Sequence, residues 1–168
     1  RDINLKSILR IVGIIQIIIP IFFLLCIPVA IFYSESVRPF LLSIAVTLVS
    51  FIPVFFLSRD SINEKVTIRE GYLSVMASWV ILILTGTLPY LFSGEIKGFV
   101  NILFETTSGF TTTGASILSN VESLSKSMLF WRSMTHWIGG IGIILLVIII
   151  LPTLKIGGYN LFTLESSL

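Results

Sequence analysis

Long stretches of this chain carry no charged residue, and they set its architecture. Ile11–Ser34, Pro39–Ser58, Gly71–Gly94 and Ser133–Leu154 are runs of Ile, Leu, Val and Phe without Asp, Glu, Lys or Arg. Each reaches the length of about 20 apolar residues that a helix needs to cross the hydrocarbon of a bilayer. The pattern predicts four transmembrane helices. Pro20, Pro28, Pro53 and Pro89 fall inside them and are expected as kinks, which neighbouring helices tolerate in lipid. Pro152 is expected to end the fourth helix, which Arg132 and Lys155 bracket with side chains able to reach the headgroups.

A fifth apolar piece is too short to span. Gly98–Phe104, continued by Glu105–Gly109, would reach only about 18 Å as a helix. It is expected as a re-entrant half-helix over residues 99–109, dipping into the membrane and returning through residues 110–116. Gly109 and Gly114 would give the returning backbone angles closed to other residues. The fold class that follows is all-α and integral to the membrane: four transmembrane helices, one re-entrant pore half-helix and an extended strand after it. The expected units are a helical hairpin (1–58), a charged linker (59–70), a helix–loop–helix unit (71–154) and a C-terminal tail (155–168).

Lys and Arg give the orientation. With the N-terminus inside, inner segments hold Arg1, Lys6, Arg10, Arg59, Lys65, Arg69 and Lys155, and outer ones Arg38, Lys97, Lys126 and Arg132. Positive charge favours the cytoplasmic side, so the N-terminus is placed there and the short piece enters from the outer face.

Composition sharpens the class. Only 12% of residues are charged, about half the share of a soluble domain, and mean hydropathy is +1.02. The net charge of +2, with no basic cluster among aromatics, excludes a nucleic-acid partner and leaves membrane lipid as the surroundings. Cys26 lies alone in an apolar run and has neither a disulfide partner nor metal-ligand companions. The first apolar run exceeds a signal-peptide core, and the opening Arg1 reads as a trimmed N-terminus. No feature suggests an organic cofactor.

The chemistry sits in "FTTTGAS", Phe110–Ser116. A dehydrated cation needs oxygens to replace its water, and consecutive backbone carbonyls can supply them. Small residues and a glycine suit such a strand. The C-terminal end of the preceding half-helix carries partial negative charge, which also favours a cation.

"FETTSGFTTTGAS" followed by "LFWRSMTHWIGGIGIILLVIIILP" resembles the first pore repeat of the Trk/Ktr/HKT superfamily of potassium transporters, and among them the TrkH-type membrane subunit. The likeness covers nearly the whole chain: the hairpin matches the extra N-terminal helix pair of that type, and Arg69–Gly71 matches the usual start of the repeat. It implies potassium uptake across a bacterial inner (plasma) membrane. Thr111, Thr112, Thr113, Gly114 and Ala115 would be filter residues, with potassium held by carbonyls of Thr112, Thr113 and Gly114. Thr107, Ser108 and Gly109 would support them. It also implies partners: three further pore repeats of a longer chain, a homodimer, and a cytosolic nucleotide-binding regulatory subunit of the Trk A/Ktr A type. Only one repeat is visible here, so the sequence is expected to be an N-terminal portion.

The residues admit other readings. Four copies of the chain could each give one loop to a homotetrameric cation channel. Ser108 and His136 could pair as nucleophile and base of an intramembrane serine hydrolase, although Thr106 and Thr107 precede the serine without a glycine turn. A purely structural membrane subunit is the blandest reading. Glu105 is expected as an exposed or locally paired charge and His136 as a structural hydrogen-bonding group. Trp131 and Trp137 are expected at the interface, "GGIG" (139–142) as a close helix contact, and Asn63–Glu70 as a solvated inner loop.

Overall fold

A computed structural model describes residues 4–58 and 67–150, with side chains described at neither residue 68 nor residues 145–150. Most of the linker, Pro152, Lys155 and the C-terminal tail lie outside the described residues.

Helix α1 is Leu5–Phe32, α2 Arg38–Ser58, α3 Ile68–Gly86, α4 Leu88–Ser93, α5 Phe99–Phe110 and α6 Lys126–Ile150, with a 3-10 turn at Val121–Ser123. Among the described residues there is no strand. Three stretches are long and apolar enough to cross a membrane: Leu5–Phe32, Arg38–Ser58 and Arg69–Ser93. The fourth expected span starts within α6 and continues past the described residues. Pro20, Pro28 and Pro53 sit inside α1 and α2. The third span is interrupted at Thr87, two residues before Pro89, so α3 and α4 are separate helices. Pro89 has no N–H to donate to the preceding turn, and its ring crowds the carbonyl there, so the helix restarts instead of continuing.

The start of α3 differs from expectation. Thr67 Oγ1 accepts from the Glu70 N–H, and the Glu70 carboxylate accepts from the Thr67 N–H at 2.8 Å. This capping box satisfies two otherwise orphaned amides. Glu70 is therefore buried, not the solvated end of a linker. Its Oε1 also accepts from the Asn4 N–H at 2.9 Å, which ties the start of α1 to the start of α3.

Helix α1 packs against α2, α3 and α6. The core gathers where Phe23 of α1, Phe110 of α5 and Trp131 of α6 meet. The Trp131 ring centroid is 4.8 Å from that of Phe23 and 6.3 Å from that of Phe110. Trp131 is fully buried and donates through Nε1 to the Gly86 carbonyl at 3.1 Å. It is a core residue, not an interfacial anchor: the break after Gly86 presents a carbonyl that meets its one polar group. Trp137 remains exposed.

Opposite the Asn4–Glu70 end, acidic residues gather the loops. Glu35, between α1 and α2, accepts from the amides of Lys126 (2.7 Å) and Ser127 (2.9 Å). Glu95 accepts from the amide and hydroxyl of Ser125, each at 2.7 Å. Negative charge at a helix N-terminus is favourable, so α6 begins at Lys126, seven residues before its charge-free run. The Glu95–Ser125 contact also shows that the chain leaves α4 and returns to α6 at one end of the bundle.

Candidate functional site

Helix α5 is the seat of the candidate site. Its 12 residues bury Ile102, Glu105, Thr106, Ser108, Gly109 and Phe110 against the other helices. The helix ends one residue later than expected, at Phe110.

The end is tightly closed. The Thr112 N–H donates to the Gly109 carbonyl and the Thr113 N–H to the Ser108 carbonyl, both at 3.0 Å. The Thr111 N–H donates to the Thr107 carbonyl at 2.9 Å, joined by Thr111 Oγ1 at 2.8 Å. This is a Schellman closure, in which the residue just past the cap takes a left-handed conformation. That residue is Thr112, with φ 56. A β-branched side chain is rare there because its Cβ crowds the backbone. Gly114, at φ +75, adopts the left-handed angle its type allows.

These angles correct the expected extended strand. Thr111 lies at φ −79, ψ 0, and Thr112 and Gly114 are left-handed. The first threonines are spent on closing the helix, which bends the chain away from a single run of extension.

Residues 111–117 are exposed, yet both flanks are held. Ser108 Oγ donates to the Ala115 carbonyl at 2.6 Å. The Glu105 carboxylate, fully buried, accepts from Ser116 Oγ at 2.9 and 3.0 Å and from the Ile117 N–H at 3.1 Å. Arg132 Nε completes its shell at 2.9 Å. Thr111 Oγ1 and Thr113 Oγ1 share a hydrogen bond of 2.8 Å. Among the described residues, no donor reaches the carbonyls of Thr112, Thr113 or Gly114. Among the described residues, the three expected ligand oxygens are thus without a partner, while the carbonyl of Ala115 is engaged.

Thr107, Ser108 and Gly109, expected as support, all contact the segment. Two residues differ from expectation. Glu105 is buried within a network, not exposed or paired only locally. Arg132 serves that network instead of reaching for the headgroups. A carboxylate in a short apolar helix was the available signal, because a buried charge needs partners. The Ser108–His136 pairing of a hydrolase is not formed: Ser108 donates to Ala115, and the buried His136 Nε2 has no partner among the described residues. The expected structural hydrogen bond from that nitrogen is likewise not made among them. No group of three or more metal-ligating side chains occurs among the described residues.

Comparison with known proteins adds the family. The TrkH family, described as "Cation transport protein", matches residues 37–167. A relative from Vibrio parahaemolyticus named Trk system potassium uptake protein TrkH is 35% identical over 95% of this chain and 33% of its own length. Its namesake from Escherichia coli K12 is 35% identical over 96% of this chain and 34% of its own. A protein of Methanocaldococcus jannaschii, named as an uncharacterized cation transporter, is 34% identical over 97% of this chain and 34% of its own. The chain spans about a third of the length of these curated relatives.

Proposed function

The chain belongs to the TrkH family of cation transport proteins, and on that premise we propose that it serves potassium uptake as part of a pore-forming membrane subunit. The family is one of transporters, not of enzymes. The segment Thr111–Ala115 contributes one quarter of a selectivity filter. Carbonyls of Thr112, Thr113 and Gly114 are its potassium ligands, in place of lost water. Ala115 sets the far end of the segment through its bond to Ser108. Thr107, Ser108 and Gly109 are the support beneath.

One observation carries the reading. A buried carboxylate, Glu105, and a guanidinium from another helix are spent on holding the flank of a few exposed residues. Taking such ions out of water costs several kcal/mol each before they pair. An ion-coordinating backbone needs fixed carbonyl positions. The names of the relatives supply the ion.

In this reading α5 is the re-entrant half-helix. The Glu95–Ser125 end of the bundle is the outer face, and the N-terminus lies in the cytoplasm of a bacterial cell, beneath the inner membrane. Residues 1–58 form the accessory hairpin and residues 71–154 one pore repeat. Three further repeats in the full-length chain close the ion path. A homodimer and a cytosolic nucleotide-binding regulatory subunit of the Trk A/Ktr A type complete the assembly.

Growth of potassium-transport-deficient cells at low potassium tests the proposal. The full-length chain should restore growth, and Gly114→Leu at equal membrane abundance should not. Equal growth of the two would remove the filter assignment.

A further inference from the structure

Four carbonyls close α5, and three of them are satisfied: those of Thr107, Ser108 and Gly109 accept amides from residues 111–113. The fourth, Phe110, is different. Among the described residues it accepts no hydrogen bond from an amide or hydroxyl, and it lies directly against Gly139 of α6. A Cβ on Gly139 would overlap the Phe110 carbonyl oxygen and stand 2.7 Å from the carbonyl carbon and 2.9 Å from Cα. Contacts under 3.0 Å are essentially never made by real Cβ atoms. The atoms met here are backbone, so no rotamer change can relieve them. One residue further on, a Cβ on Gly140 would meet Thr112 Cγ2 at 3.9 Å. Helix α6 therefore rests on the backbone of Phe110 and beside the side chain of Thr112, at the threshold of the exposed segment.

We infer that Gly139 and Gly140 are specificity-determining residues. They are the seat on which α6 fixes the height of Thr111–Ala115, and through it the spacing of the carbonyls that discriminate between cations. This inference rests on the filter reading proposed above. Gly139 acts through the backbone of Phe110 and touches no ion, so it is a positioning residue. The chemistry is that of a supporting shell: a ligand set selects its ion only while its neighbours hold it within a fraction of an ångström. A methyl group at position 139 must push α6 and the end of α5 apart, and Thr111–Ala115, joined to that end through Phe110, shifts with it.

The test uses the full-length chain in potassium-transport-deficient cells. Rubidium uptake is measured with and without excess sodium and normalised to the amount of protein at the cell surface. Gly139→Ala should lower discrimination against sodium about ten-fold, a change expected of a displaced ligand set. Gly142→Ala is the control, because its Cβ would meet Trp79 at an ordinary 3.5 Å, and it should discriminate as wild type. A merely structural fault would lower surface amount, or slow both ions alike, without altering the ratio. If Gly139→Ala does not reach the surface, Gly140→Val decides, since its added methyls extend toward Thr112; an unchanged ratio then overturns the inference. Should Gly114→Ser alter the ratio while Gly139→Ala and Gly140→Val do not, the seat is refuted and the filter reading stands. Should Gly114→Ser also leave it unchanged, the filter reading falls and the seat with it.

Discussion

Glu105 and Arg132 stand 27 residues apart in sequence and 2.9 Å apart in space. The carboxylate is fully buried and the guanidinium largely so, with side-chain exposures of 0% and 19%. The pair joins α5 to α6, and its remaining acceptor capacity holds Ser116 and Ile117.

Breaking that pair should be costly. Glu105→Ala leaves Arg132 without its partner and two donors without an acceptor, so it should destabilise the protein by about 3–5 kcal/mol. The exchanged pair, Glu105→Arg with Arg132→Glu, should not restore stability. A guanidinium has no acceptor to offer Ser116 or Ile117. Thermal unfolding in detergent checks both, and a fully stable exchanged pair would show that charge alone matters.

Thr112 should be the one position in the segment where glycine stabilises. Its left-handed backbone costs a β-branched residue about 1–2 kcal/mol, partly offset by the larger entropy glycine loses on folding. Thr112→Gly should therefore raise stability by up to about 1 kcal/mol. Gly114→Ala should lower it despite open space around Gly114, because the penalty lies in the backbone angle. Both are read from unfolding midpoints.

Ser108→Ala removes the donor that fixes the Ala115 carbonyl. The loss should be about 1 kcal/mol of stability, with a larger relative effect on cation discrimination than on total uptake. Ser108→Thr keeps a hydroxyl and should retain most of the discrimination. Equal selectivity in wild type and Ser108→Ala would mean that the Ala115 end needs no anchor.

Glu35 should make stability depend on pH. Slight burial pushes its carboxyl up. The hydrogen bonds from Ser127 and the Lys126 amide, together with the Lys126 charge, outweigh this and hold it below its ordinary value. A carboxyl lowered on folding stabilises above its unfolded pKa of about 4.3, and the benefit fades as pH falls through the folded value. Glu35→Gln should thus be less stable than wild type near neutrality, and the two should converge in acid. A constant gap from pH 7 down to pH 3 would contradict the assignment.

Three of the four expected spans were legible because each is a local, charge-free run. The short helix α5 was legible from the length of its apolar piece and from the small residues after Phe110. The features not legible in the sequence are mostly non-local. The start of α6 at Lys126 depends on Glu35, 91 residues earlier, and the burial of Trp131 depends on a carbonyl at Gly86, 45 residues earlier. No spacing rule links Glu105 to Arg132. The helix closure at Thr112 ran against propensity, since glycine is the usual residue there. The capping box at Thr67–Glu70 was different: its four-residue pattern was present, and the charged surroundings hid it.

The filter assignment is tested most directly by rubidium-86 uptake in potassium-transport-deficient cells expressing the full-length chain, wild type against Gly114→Ser, with sodium as competitor. Wild-type uptake should survive excess sodium, and uptake by the Gly114→Ser variant should be suppressed by it. Equal surface amounts with identical uptake and identical sodium sensitivity would contradict the assignment, and Thr111–Ala115 would then be an ordinary loop.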